Sequence, residues 1–207
     1  RGIAVEFHGD SGEVTETYAR QFALETNQVY VSPYNDEDVI AGQGTIAVEL
    51  YRQLPELDAV FVSIGGGGLI AGIAAYLKSV KPNIKIIGCL PANAPVMYEC
   101  IKAGKVVDVP EQPTLSDGTA GGIDHDTITF DLCRDLIDDY VLISEEEILK
   151  AMRVVLKHHH QVIEGSAGVA VAAVIKLKEK FQEKKVAAVI CGSNVSEAVL
   201  KKVVCDD

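Results

Sequence analysis

Two periods organise the apolar positions of this chain. Leu57 to Ile64 is a dense apolar run rich in Val and Phe, and Ile84 to Leu90 and Val186 to Ile190 repeat it, which predicts buried strands. Shorter strand patterns occupy Ile3 to Phe7, Gln28 to Val31 and Tyr140 to Ile143. Helical stripes fill the intervals: Val14 to Leu24, Asp36 to Leu54, Leu69 to Val80, Ala94 to Ala103, Thr127 to Ile137 and Ala167 to Phe181. Asp10 to Glu13 and Ser144 to Glu147 have capping-box spacing, the second opening a long helix that ends near His160. Gly104 stands where a helix would need a left-handed stop. The stretch from Val107 to Asp126, with Pro110, Pro113, Gly118, Gly121 and Gly122, predicts irregular chain laid over a site. After Cys191-Gly-Ser-Asn194 a last helix follows. Buried strands alternating with helices predict an α/β fold with an open, mostly parallel sheet flanked by helices.

Composition narrows the classes. The 207 residues are 48% hydrophobic, enough for a substantial core. Lys and Arg number 19 against 30 Asp and Glu, a net charge of −11, which argues against nucleic acid or an anionic membrane surface as partner. The five cysteines are odd in number and form no CxxC pair, so reduced thiols and a cytoplasmic setting are expected. The uncharged run from Ala59 to Leu77 is long enough to span a bilayer, but four glycines cut its middle and favour strand, loop and helix instead.

Those glycines, Gly65 to Gly68, carry the strongest chemical signal. They follow a buried strand and open a helix, the geometry in which backbone N–H groups and a helix N-terminus converge on one phosphate. From Gly66 the spacing is G-x-G-x-x-x-G, and the next strand ends Gly-Cys-Leu-Pro without a carboxylate for a ribose, so a dinucleotide fits poorly. No Gly-Lys-Ser/Thr follows, which excludes a Walker loop. A single phosphate ester fits best. The run His158-His159-His160 points three ways on a helix, about 100° apart, and reads as solvated surface.

Four motifs occur in order: Gly42-Gln-Gly-Thr-Ile-Ala47, Gly65 to Leu69, Glu164-Gly-Ser-Ala-Gly168 and Cys191-Gly-Ser-Asn194. Together they resemble the pyridoxal-phosphate-dependent serine/threonine dehydratase and serine racemase family, of the tryptophan-synthase-β-like fold (fold type II). The resemblance implies that Gly65, Gly66, Gly67, Gly68 and Leu69 hold the cofactor phosphate. It also places Cys191 at the pyridine nitrogen as a neutral partner, Glu164 near the ring, and Tyr34 and Gly118 along the pocket. It implies a large cofactor-binding domain over 34–207, preceded by the later part of a smaller α/β domain over 1–33. The family's Schiff-base Lys and its loop for the substrate carboxylate are expected upstream, roughly a third of an enzyme being absent, so no catalytic residue is assigned in this chain. Leu90 and Val96 stand where racemase-like members place carboxylates for a divalent cation, so no metal is expected. The implied activity is elimination of ammonia from L-threonine or L-serine, giving a 2-oxo acid, in a homodimer with a small amino acid as substrate. Serine racemisation stays open on the same resemblance, as does a non-catalytic phosphate-binding fragment or regulatory relative.

Overall fold

The computed structural model describes Gly2, residues 4–9 and residues 12–205. Four parallel strands, β1 (Ala59–Ser63), β2 (Lys85–Pro91), β3 (Asp139–Ile143) and β4 (Val186–Ala188), form one sheet in the order β3-β2-β1-β4. Ala59 pairs with both Lys85 and Val186, and Ile87 pairs with Asp139, so the first strand in sequence lies inside the sheet. Helices α1 (Gly12–Thr26) and α2 (Glu37–Gln53) precede the sheet. Then come α3 (Gly68–Val80), α4 (Val96–Ala103), α5 (Ile128–Leu136), α6 (Glu145–His159), α7 (Gly165–Lys176) and α8 (Glu197–Cys205), with one short 3-10 turn over Asp117–Thr119.

The period-2 alternation of β1 explains the two layers. Val60 and Val62 pack with Ala47, Ile70, Ile73 and Leu77 of α2 and α3. Ala59 and Phe61 point the other way, to Ile148, Ala151 and Met152 of α6 and Ala167 and Ala173 of α7. Every residue of β1 is buried, as expected for a parallel strand covered on both faces. Helix ends follow their sequence signals. Asp36 caps α2 by accepting from the N–H groups of Asp38 and Val39, Ser144 and Glu147 form the capping box of α6, and Gly104 stops α4 in the left-handed region. The run from Ala59 to Leu77 is split between β1, the glycine loop and α3. Among the described residues no helix is long and apolar enough to cross a membrane.

Several expectations need correction. Ala4 to Phe7 and Gln28 to Val31 are not strands, and Val5, Phe7, Val29 and Val31 are exposed. Their alternation is real, but no described strand lies beside them, and an extended segment without a ladder partner is not held as sheet. Ile3 and the start of the Asp10 capping box lie outside the described residues. Helix α7 begins at Gly165 and ends at Lys176, with Leu177 at its cap, rather than spanning Ala167 to Phe181. Strand β4 stops at Ala188, although Val189 still donates its N–H to the Phe61 carbonyl at 3.0 Å.

Candidate functional site

The site forms where β1 ends and α3 begins. Four glycines are needed there because three neighbours press on the loop. A Cβ on Gly66 would overlap the Tyr34 ring, one on Gly68 would stand 2.9 Å from Tyr34 Cα, and one on Gly65 would stand 2.9 Å from Thr119 Cα. Gly67 caps the helix at φ +88°, a conformation that disfavours any side chain, and Cys133 Sγ closes the space behind it. The loop's carbonyl side is fixed from below: the buried Thr129 donates its hydroxyl to the Gly66 carbonyl at 2.6 Å. Its N–H side is open. The first helical return bond runs from Ala71 N–H to the Gly67 carbonyl at 2.9 Å, and among the described residues no acceptor meets the N–H groups from Gly66 to Ile70. Free donors, a positive helix end and the absence of side chains suit an anionic oxygen cluster such as a phosphate ester.

A second wall of the same cleft is built from side chains. Ser63 Oγ, at the end of β1, lies 3.5 Å from Cys191 Sγ, just after β4. Cys191 is exposed and lines the cleft, with protein atoms crowding one side of its sulfur. That crowding pushes its pKa up, the Glu164 carboxylate adds to the shift, and the Ser63 hydrogen bond opposes it. The thiol is thus held neutral. Glu164, the N-cap residue of α7, accepts from the Asn194 N–H at 3.0 Å and donates its own N–H to the Gly192 carbonyl at 3.1 Å. A Cβ on Gly192 would fall within the Glu164 carboxylate, so Glu164 and Gly192 fix the turn that carries Cys191.

The irregular segment closes one side. Ser116, fully buried, bonds Thr119 Oγ1 at 2.6 Å and donates to Ser166 Oγ at 3.3 Å, and a Cβ on Gly118 would come within 2.9 Å of the same Ser166 oxygen. Glu145 anchors this segment, accepting from Thr114 Oγ1 at 2.7 Å and Leu115 N–H at 2.6 Å. Tyr34 is buried against the glycine loop, and its hydroxyl accepts from the Asp124 N–H at 2.8 Å; burial raises its pKa.

The nine residues expected from the sequence (Tyr34, Gly65 to Leu69, Gly118, Glu164 and Cys191) line one cleft of about 610 Å³. The glycine loop, Tyr34 and Cys191 bear directly on it, whereas Glu164 acts on the Cys191 turn. Ser63, Thr119 and Ser166 also line it and were not anticipated, and Thr129 supports it from beneath. A Ser at the end of a buried strand was a usable signal for Ser63; a Thr in the first turn of a helix gives none. Leu90 and Val96 are buried in the apolar layer under α3. His158, His159 and His160 are exposed at the end of α6.

The chain is 37% identical to the L-threonine ammonia-lyase of Thermotoga maritima over 98% of its own length and 50% of that protein. It is 38% identical to the serine racemase of Arabidopsis thaliana over 87% of its length and 55% of that protein. Among solved structures it superposes on the processed threonine deaminase isoform 2 of Solanum lycopersicum with TM-score 0.86 and 34% identity, covering 95% of this chain and 58% of that one. Against maize serine racemase the TM-score is 0.83 at 32% identity, covering 92% and 60%. The chain spans about half the length of the curated relatives it matches. Residues 2–192 match the family described as pyridoxal-phosphate dependent enzyme, and the chain belongs to that family.

Proposed function

We propose that the protein is an ammonia-lyase that uses pyridoxal phosphate on a small β-hydroxy amino acid, L-threonine or L-serine, and gives a 2-oxo acid and ammonia. The observation that carries this reading is the set of unpartnered N–H groups at the start of α3 in the same cleft as a neutral thiol. The donors from Gly65 to Leu69 would hold the phosphate. When bound, the cofactor supplies an electron sink for bonds broken at the substrate α-carbon.

The chain's own groups define the rest. Cys191, supported by Ser63, would face the pyridine nitrogen as a neutral partner and would leave that nitrogen largely unprotonated. Glu164 holds the Cys191 turn in place. Tyr34 and Gly118 wall the pocket, and the segment pinned by Ser116 and Glu145 shields it from water. No lysine among the described residues lines the cleft, so the reading takes the amine that carries the cofactor from outside residues 1–207. It assigns 34–207 to the cofactor-binding domain and 1–33 to a smaller domain, and it takes the whole protein to be a cytoplasmic homodimer.

Racemisation of serine is the second reading, favoured by the likeness to the Arabidopsis and maize serine racemases. One experiment separates them. The native protein with its cofactor is given L-threonine and L-serine, and 2-oxo acid, ammonia and D-serine are measured. Oxo acid and ammonia in equal amounts support the lyase. D-serine as the main product makes the protein a racemase, and retained cofactor with neither product makes it a non-catalytic relative.

A further inference from the structure

Arg20, on α1, does not line the cleft, yet it is tied to it. Its Nη2 donates to Asp124 Oδ2 at 2.6 Å, and the Asp124 carboxylate is nearly buried, its side chain 9% exposed. The same carboxylate oxygen accepts from Asn35 Nδ2 at 3.1 Å, and Asn35 Oδ1 accepts from the Ile128 N–H at 3.0 Å, where α5 starts. Through its backbone N–H, Asp124 donates to the Tyr34 hydroxyl at 2.8 Å. The Tyr34 ring in turn leaves no room for a Cβ on Gly66. Asp124 lies in irregular chain, where no ladder fixes the direction of an N–H, so the side-chain pair supplies that anchor.

We propose that Arg20 and Asp124 are positioning residues that couple α1 to the cofactor cleft: the ion pair fixes the Asp124 backbone, and the Asp124 N–H holds Tyr34 against the glycine loop. The inference rests on the reading of the cleft as a pyridoxal phosphate site. It makes Tyr34 the carrier of the coupling, so a change on α1 should reach the cofactor only while the Tyr34 hydroxyl is present.

A double-mutant cycle on the native protein tests it, with cofactor affinity and the circular dichroism of the bound cofactor as readouts. Arg20→Met should weaken pyridoxal phosphate binding about fivefold, Tyr34→Phe by a similar factor, and the double variant no more than Tyr34→Phe alone, because one hydrogen bond is being lost in each case. Asp124→Asn, which keeps the backbone N–H and the side-chain shape, should reproduce Arg20→Met and serves if the Met variant does not fold. Multiplicative losses in the double variant, or unchanged affinity in Arg20→Met and Asp124→Asn, overturn the proposal. Failure of the unmodified protein to bind pyridoxal phosphate would instead remove the reading of the cleft, and this inference with it.

Discussion

At the start of α3 the cleft wall is backbone: three of its four glycines are hemmed by Tyr34 and Thr119, and the fourth has a positive φ. Across the cleft the wall is side chain: Ser63 and Cys191 are hydrogen-bonded to each other, and Glu164 accepts from the Asn194 N–H on the turn that carries Cys191. The difference decides what each wall tolerates. A backbone wall recognises an anion by position alone, so any added atom is an obstruction. A side-chain wall sets polarity and charge, so it tolerates a change of shape better than a change of charge. The account therefore predicts steep losses on the first wall and graded, chemistry-dependent losses on the second.

The largest effect should come from Gly66→Ala. Its methyl overlaps the Tyr34 ring, and overpacking of this kind costs up to about 3 kcal/mol, so cofactor affinity should fall by about a hundredfold in folded protein. Tyr34→Ala in the same chain should return part of it. Equilibrium titration with pyridoxal phosphate checks both, and undiminished binding by Gly66→Ala would erase the contrast between the walls. Next is charge on the second wall. Cys191→Asp should abolish most activity, because a carboxylate there is either buried unpaired or protonates the pyridine nitrogen, whereas Cys191→Ser should retain activity within a factor of about three. Activity and cofactor absorbance per folded molecule are the measurements; equal behaviour of the two variants would make Cys191 a packing residue.

Thr129→Val probes the support under the first wall. It removes the donor to the Gly66 carbonyl and should cost about 1–3 kcal/mol of stability by denaturant titration, along with some cofactor affinity. The last effect is confined to alkaline pH. Burial pushes the Cys133 thiol, packed behind Gly67, up to about 12 from an ordinary value of 9.0. Between those values the unfolded chain has lost the proton that the folded chain keeps. The stabilisation is complete below 9 and declines above it, by about 1.4 kcal/mol per pH unit for this one group. Cys133→Ser should flatten that decline by one proton, and an unchanged slope would place the titration elsewhere.

Much of this was legible in the residues, and the exceptions have physical reasons. Dense apolar runs marked β1 and β2 because strands buried on both faces leave few polar positions. Ser144 and Glu147 marked the start of α6 because capping is local. The glycine loop was legible because only a close approach demands four consecutive glycines. Residues 4–7 and 28–31 misled because alternation reports two-sidedness, while a strand also needs a neighbour. The contacts of Thr129, Asp124 and Ser166 were not legible because their partners lie 63, 90 and 50 residues away, at Gly66, Tyr34 and Ser116.

The central claim is that one cleft holds pyridoxal phosphate between a backbone wall and a neutral thiol. A crystal structure of the native protein with its cofactor tests this directly. The account predicts the phosphate on the N–H groups from Gly65 to Leu69 and the pyridine nitrogen within hydrogen-bond reach of Cys191 Sγ. A phosphate bound elsewhere, or a ring nitrogen paired with the Glu164 carboxylate, would contradict it.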